Sequence, residues 1–130
     1  ALMGLARLDD ARVAFQRVVD DSNASGSETA AMAQYMIGET HRHQGQYREA
    51  IRAYLKLDLL YEHAPWRAAA LLEAGSCYES LQKNDEACRL YQQLLSQFPE
   101  LDQSSLAKQR LQSLQSETDR LTVADSPNRS

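Results

Sequence analysis

Apolar residues recur along this chain at spacings of four and three. Ala11, Phe15 and Val18 form one set, Ala50, Tyr54 and Leu57 a second, and Ala87, Tyr91 and Leu94 a third. Residues four and seven apart fall on one face of an α-helix, so each set predicts an amphipathic helix. Outward from these stripes, the pattern predicts the end of one helix over 1–6 and a partner over 9–20. Further helices are predicted over 28–43, 47–63, 66–82, 85–97 and 103–117, the last carrying Leu106, Leu111 and Leu114. The run Ser22-Asn23-Ala24-Ser25-Gly26-Ser27 reads as a loop, with Ser27 the N-cap of the 28–43 helix. Gly45 suits a left-handed helix end, and Asn84 is the expected cap of the 85–97 helix. Pro65 should end the helix before it, as Phe98-Pro99 should end the next. Residues 118–130 read as a flexible tail.

The stripes belong to a longer repeat. Gly38 precedes Ala50, Tyr54 and Leu57 by 12, 16 and 19 residues, and Gly75 precedes Ala87, Tyr91 and Leu94 by the same offsets. The two sets are displaced by 37 residues, and an acid stands before each alanine, at Asp10, Glu49 and Glu86. A glycine twelve residues upstream lies on the preceding helix, so Gly38 should face Ala50, and Gly75 face Ala87, where two helices approach closely. Such a hairpin cannot bury its whole apolar face alone and must stack on the next copy.

The quoted residues resemble the tetratricopeptide repeat (TPR) family. The first copy runs Gln34-Tyr35-Met36-Ile37-Gly38, then Gln44-Gly45-Gln46-Tyr47-Arg48-Glu49-Ala50-Ile51, Tyr54 and Leu57. The second runs Leu72-Glu73-Ala74-Gly75-Ser76-Cys77-Tyr78, then Asp85-Glu86-Ala87, Tyr91, Leu94 and Pro99. The resemblance implies an all-α, right-handed α-solenoid of helix hairpins: a partial repeat over 1–22, repeats over 28–63 and 66–98, and a capping helix over 103–117. The period of 37 exceeds the family's, about 34, and the excess is most simply placed in a longer helix reaching into 58–65. Asn84 departs from the apolar Tyr47 and Leu8, and His41 from Tyr78. The polar last helix fits a natural C-terminal boundary, whereas a helix already under way at Ala1 suggests a piece cut from a longer chain.

Composition narrows the class. Ala 18, Leu 18 and Gln 12 stand against only ten β-branched residues, which excludes an all-β fold and disfavours α/β. A net charge of −4 without a basic stripe argues against a nucleic-acid partner. No long apolar run is available to enter a membrane, and the first residues do not read as a signal peptide. The closing Leu106-Ala107-Lys108-Gln109-Arg110-Leu111 after Phe98-Pro99 resembles the ends of such arrays in bacterial envelope proteins, which implies a bacterial source and leaves cytoplasm or periplasm open.

Candidate chemistry is sparse. His41 and His43 point about 200° apart on a helix. Glu39 and His43 could share a metal, but a third ligand is missing, so no metal and no cofactor are expected. Cys77 and Cys88 sit on two helices of one hairpin, either paired across the turn or buried and reduced. No phosphate loop, HExxH, GxSxG or CxxC is present, so an enzyme is not expected.

What remains is surplus apolar surface. By the resemblance, Met32, Tyr35, Glu39, Arg42 and His43 line a concave groove. Ala69, Leu72, Ser76, Glu79 and Ser80 continue it, followed by Gln103, Leu106, Arg110, Ser113 and Leu114. The alternative for Met32, Tyr35 and Met36 is core packing. The family's clamp for carboxylate-ended tails uses Lys, Asn and Arg where this chain has Tyr35, Glu39 and Leu72, so that partner is disfavoured. The expected function is protein–protein interaction, with a peptide or partner helix bound in the groove through Met32, Tyr35, Glu39, Arg42, His43, Leu72, Ser76, Glu79 and Arg110. A structural spacer or homo-oligomerisation segment of a larger scaffold is the alternative.

Overall fold

The computed structural model describes the backbone of residues 2–21, 23 and 25–124, with side chains described between 7 and 120. Among these residues the chain forms helices and turns and no strand. In order the helices are α1 (Leu2–Asp20), α2 (Glu28–His43), α3 (Tyr47–Leu60), α4 (Ala64–Ser80), α5 (Asn84–Gln97) and α6 (Asp102–Ala124).

Each helix packs against the next in sequence, and α4 also touches α2 and α6. The even-numbered helices therefore approach one another along one face, while α1, α3 and α5 stay apart on the other. This is a helical repeat solenoid with its concave side on α2, α4 and α6. The helix with neighbours all round is α4, and it is built to suit: Ala68, Ala70, Leu71, Ala74, Gly75 and Cys77 are all buried. Small side chains on every side let four helices crowd one.

The alanine is not the closest neighbour of either glycine. Gly38 and Gly75 are buried in α2 and α4, but what approaches them is the aromatic ring one turn past the alanine. A Cβ on Gly38 would stand 2.6 Å from Tyr54 Cδ1, and one on Gly75 would stand 2.8 Å from Tyr91 Cζ. Both tyrosines are fully buried. Each glycine is thus a slot for a ring, and that explains the 16-residue spacing between them.

Helix ends obey the expected chemistry at several points. Ser27 caps α2, its hydroxyl accepting from Ala30 N–H at 3.0 Å. Gly45 takes φ +75°, and Gln46 N–H reaches back to the His41 carbonyl at 2.9 Å, a Schellman turn. The next hairpin repeats it, Lys83 N–H reaching the Tyr78 carbonyl at 2.9 Å, but with Gln82 at φ 60° in the glycine's place. A side chain there is strained, so Gln82→Gly should stabilise by about 0.5–1 kcal/mol. Chemical denaturation of that variant beside Gly45→Gln, which should lose a similar amount, checks the point.

Other boundaries differ. No hairpin occupies the partial repeat expected over 1–22: α1 is one continuous helix from Leu2 to Asp20, running straight through the expected break at residues 7 and 8. The extra residues of the repeat do not lengthen α3, since α3 and α5 both span 14 residues. Instead α3 ends at Leu60, Tyr61 is extended, and Pro65 falls in the first turn of α4, where its missing N–H costs nothing. The residue capping α5 is Lys83, without a side-chain bond, and Asn84 is already helical. The last helix passes 117 and runs to Ala124, so 118–124 belong to it and not to a tail. Residues 125–130, like Ser22 and Ala24 of the expected loop, lie outside the described residues.

Candidate interaction groove

The concave side carries two polar clusters, each built around the hydroxyl of a ring seated on glycine. In the first, Tyr54 Oη donates to Glu39 Oε1 at 2.5 Å, and Arg42 Nη2 donates to Glu39 Oε2 at 2.8 Å. Arg42 Nε also lies 3.4 Å from Glu73 of α4, tying α2 to α4. Burial pushes the Glu39 carboxyl up, but the bonds from Arg42 and Tyr54 and the charges of Arg42 and His43 outweigh it and hold the group below its ordinary value. Glu73 goes the other way: burial and the charge of Glu39 raise it, against the opposing pull of Arg42 and His43.

In the second cluster Tyr91 Oη and Arg110 both donate to Glu79, with Arg110 Nε at 3.1 Å. Displaced by 37 residues, Tyr54 becomes Tyr91, Arg42 becomes Glu79 and Glu73 becomes Arg110. The two units therefore make the same link between successive concave helices with the charges exchanged. Both tyrosine hydroxyls are pushed above their ordinary range by burial and by the carboxylate beside them.

Tyr35 sits half-buried between two rings, 5.6 Å from Tyr54 and 5.6 Å from Trp66, tilted at 51° and 53°. It is thus shared between groove and core. Met32 is 42% exposed. His43 is exposed, its Nε2 3.8 Å from Glu39. Between α4 and α6 lies a cavity of about 190 Å³, lined by Leu72, Glu73, Ser76, Tyr91, Leu106, Gln109 and Arg110. The structure therefore gathers the nine sequence-selected residues into two neighbouring regions. Met32, Tyr35, Glu39, Arg42 and His43 stand on α2, and Leu72, Ser76, Glu79 and Arg110 stand between α4 and α6. Leu114, expected to continue the groove, is buried in the core instead.

Sequence reading missed Glu73 and the two tyrosine hydroxyls. Applying the 37-residue displacement to Arg110 would have pointed to Glu73. His41 is occupied at the end of α2, Nδ1 2.7 Å from Gln46 Oε1. Cys77 and Cys88 are both free thiols, and burial pushes Cys77 up to about 12, leaving it a small apolar side chain. Among the described residues no cluster of three His, Cys, Asp or Glu side chains is placed to hold a metal, and no helix is long and apolar enough to cross a membrane.

The sequence profile of the tetratricopeptide repeat matches residues 32–61 and 69–101. Those stretches contain both glycine–tyrosine slots and both Schellman turns. No curated protein sequence matches the chain. The two profile matches, each falling on one helix pair of the stack, place this chain in the tetratricopeptide repeat family.

Proposed function

We propose that this chain, a protein–protein interaction module by family, works by binding and not by catalysis, taking a peptide or partner helix along the concave face of α2, α4 and α6. The observation that carries the reading is the cavity of about 190 Å³ between α4 and α6, where half-buried Leu72 and half-exposed Leu106 stand beside the polar Ser76 and Arg110. Leu106 is 51% exposed, an apolar side chain left uncovered beside a hollow that fits an apolar group. In this reading 28–63 and 66–98 act as repeats and α6 as the cap. The Glu39–Arg42–Glu73 and Glu79–Arg110 links hold the helices at fixed spacing, so a ligand meets a surface already ordered.

A peptide selected on the wild-type chain from a displayed random library is the probe. Tyr35→Ala with Leu72→Ala should weaken it about tenfold or more, the loss of two buried contacts, with the helical circular dichroism unchanged. Because Tyr35 also packs on Trp66, Leu106→Ala serves as a second variant that leaves the core untouched. Unchanged affinity in both would reject the groove. Self-association is the second reading, favoured by Val13 of the end helix α1, which is 53% exposed. Sedimentation at rising concentration separates the two, a monomer being the expected result.

A further inference from the structure

A second opening, of about 260 Å³, lies where α3 meets the end of α4, and it shares no residue with the groove cavity. Ile51, Leu55 and Tyr78 form its floor, and Arg48, Arg52 and Lys83 stand around it. Ile51 is buried, while the three cations are exposed. None of the three joins an ion pair or a side-chain hydrogen bond among the described residues. Elsewhere Arg12 pairs with Asp9, Arg42 with Glu39, Arg67 with Asp58 and Arg110 with Glu79, whereas Arg17 and Arg89, like these three, join no ion pair among the described residues. What sets Arg48, Arg52 and Lys83 apart is that three cations surround one apolar opening in a protein of net charge −4.

The repeat supplies an internal control. At the same register α5 carries Asp85, Cys88, Arg89 and Gln92 in place of Arg48, Ile51, Arg52 and Leu55. The stack folds with either set, so packing alone does not demand the basic one. Leu59 lies four residues past Leu55 on the same helix face and is 82% exposed, which extends the apolar strip past the opening.

We propose that this outer face of α3 docks an acidic protein segment, its carboxylates met by Arg48, Arg52 and Lys83 and its bulky apolar side chain seated over Ile51 and Leu55. Charge complementarity selects the acid, and the floor selects the apolar group. A phosphate backbone matches the cations but has no use for that floor, and the negative net charge repels a long polyanion. The site is distinct from the concave groove and does not depend on it.

Fluorescence anisotropy of the labelled peptide Glu-Glu-Leu-Glu-Leu-Leu-Glu-Glu on the full chain tests this. Binding should weaken about tenfold or more in the double variant Arg48→Glu with Arg52→Glu, survive Arg52→Lys with only a small loss, and fall as salt rises through the range where the Debye length drops below about 10 Å. The same peptide with glutamine for glutamate should bind far more weakly. Tyr35→Ala with Leu72→Ala should leave this binding unchanged, so failure here and failure of the groove are separate results. Both arginines are exposed, and unchanged circular dichroism confirms that the double variant is folded. Absence of binding to the wild-type chain, equal affinity for the charge-reversed variant, or displacement of the peptide by a thymidine 20-mer that binds more tightly would each overturn the proposal.

Discussion

Replacing Gly75 with leucine should destabilise the protein by several kcal/mol, and even Gly75→Ala should lose stability. The alanine result is the sharper of the two. In an ordinary helix interior, glycine to alanine gains about 1 kcal/mol, because alanine has the better propensity. Here the new methyl group would stand 2.8 Å from Tyr91 Cζ, well inside contact distance. That ring cannot swing aside, being fully buried with its hydroxyl bonded to Glu79. Overpacking of this kind costs about 1–3 kcal/mol for small intrusions and more for large ones. The sign therefore reverses against propensity. A thermal melt reads it out: for a chain of 130 residues 1 kcal/mol shifts Tm by roughly 3–5 °C. Gly38→Ala should behave the same way against Tyr54. If Gly75→Ala melts above the wild type, the ring does not occupy the slot.

This result also shows where sequence reading stops. The Gly–Tyr offset of 16 is visible in the letters, and it identifies two helices that meet. It does not say which atom of the second helix fills the gap, because alanine and tyrosine one turn apart share a face. Helix starts and stops were legible where a side chain has one local task, as at Ser27 and Gly45. They were not legible where the signal is only statistical. Asn84 is a good capping residue, yet the turn set by Gln82 makes it already helical. Likewise α6 continues past 117 because no glycine or proline interrupts the sequence before Ala124.

Groove residues were legible through their register, since positions displaced by 37 share an environment. Their partners were not, because the repeat preserves the link between helices while exchanging the charges that make it. Arg42 with Glu73 and Glu79 with Arg110 look unrelated as letters. In space each bridges successive concave helices beside a buried tyrosine hydroxyl. Exchanging both signs leaves the attraction intact, so sequence identity at these sites can vanish while the geometry persists. A change at one member only would set like charges against each other across the helix interface.

Glu39 and Glu73, within reach of one arginine, should respond to the same substitution in opposite directions. Glu39→Gln should destabilise by about 1–3 kcal/mol at neutral pH, because the Tyr54 hydroxyl and the Arg42 guanidinium lose their charged acceptor. Glu73→Gln should be neutral or stabilising there, because the folded state disfavours that carboxylate. The shifts set the pH dependence. Glu39 is held below its ordinary value of 4.5, so its contribution is complete above that value and is lost as pH falls through the lower folded one. Glu73 is raised above 4.5, so protonation of this group adds stability that is complete below 4.5 and is lost as pH rises through the higher folded value. Urea denaturation from pH 3 to 7 should therefore give a Glu39→Gln variant whose deficit shrinks toward acid, and a Glu73→Gln variant whose advantage disappears on the same path. Two variants with equal effects at both ends of the range would mean that Arg42 serves the two carboxylates alike, and the asymmetric link between α2 and α4 would fall with that result.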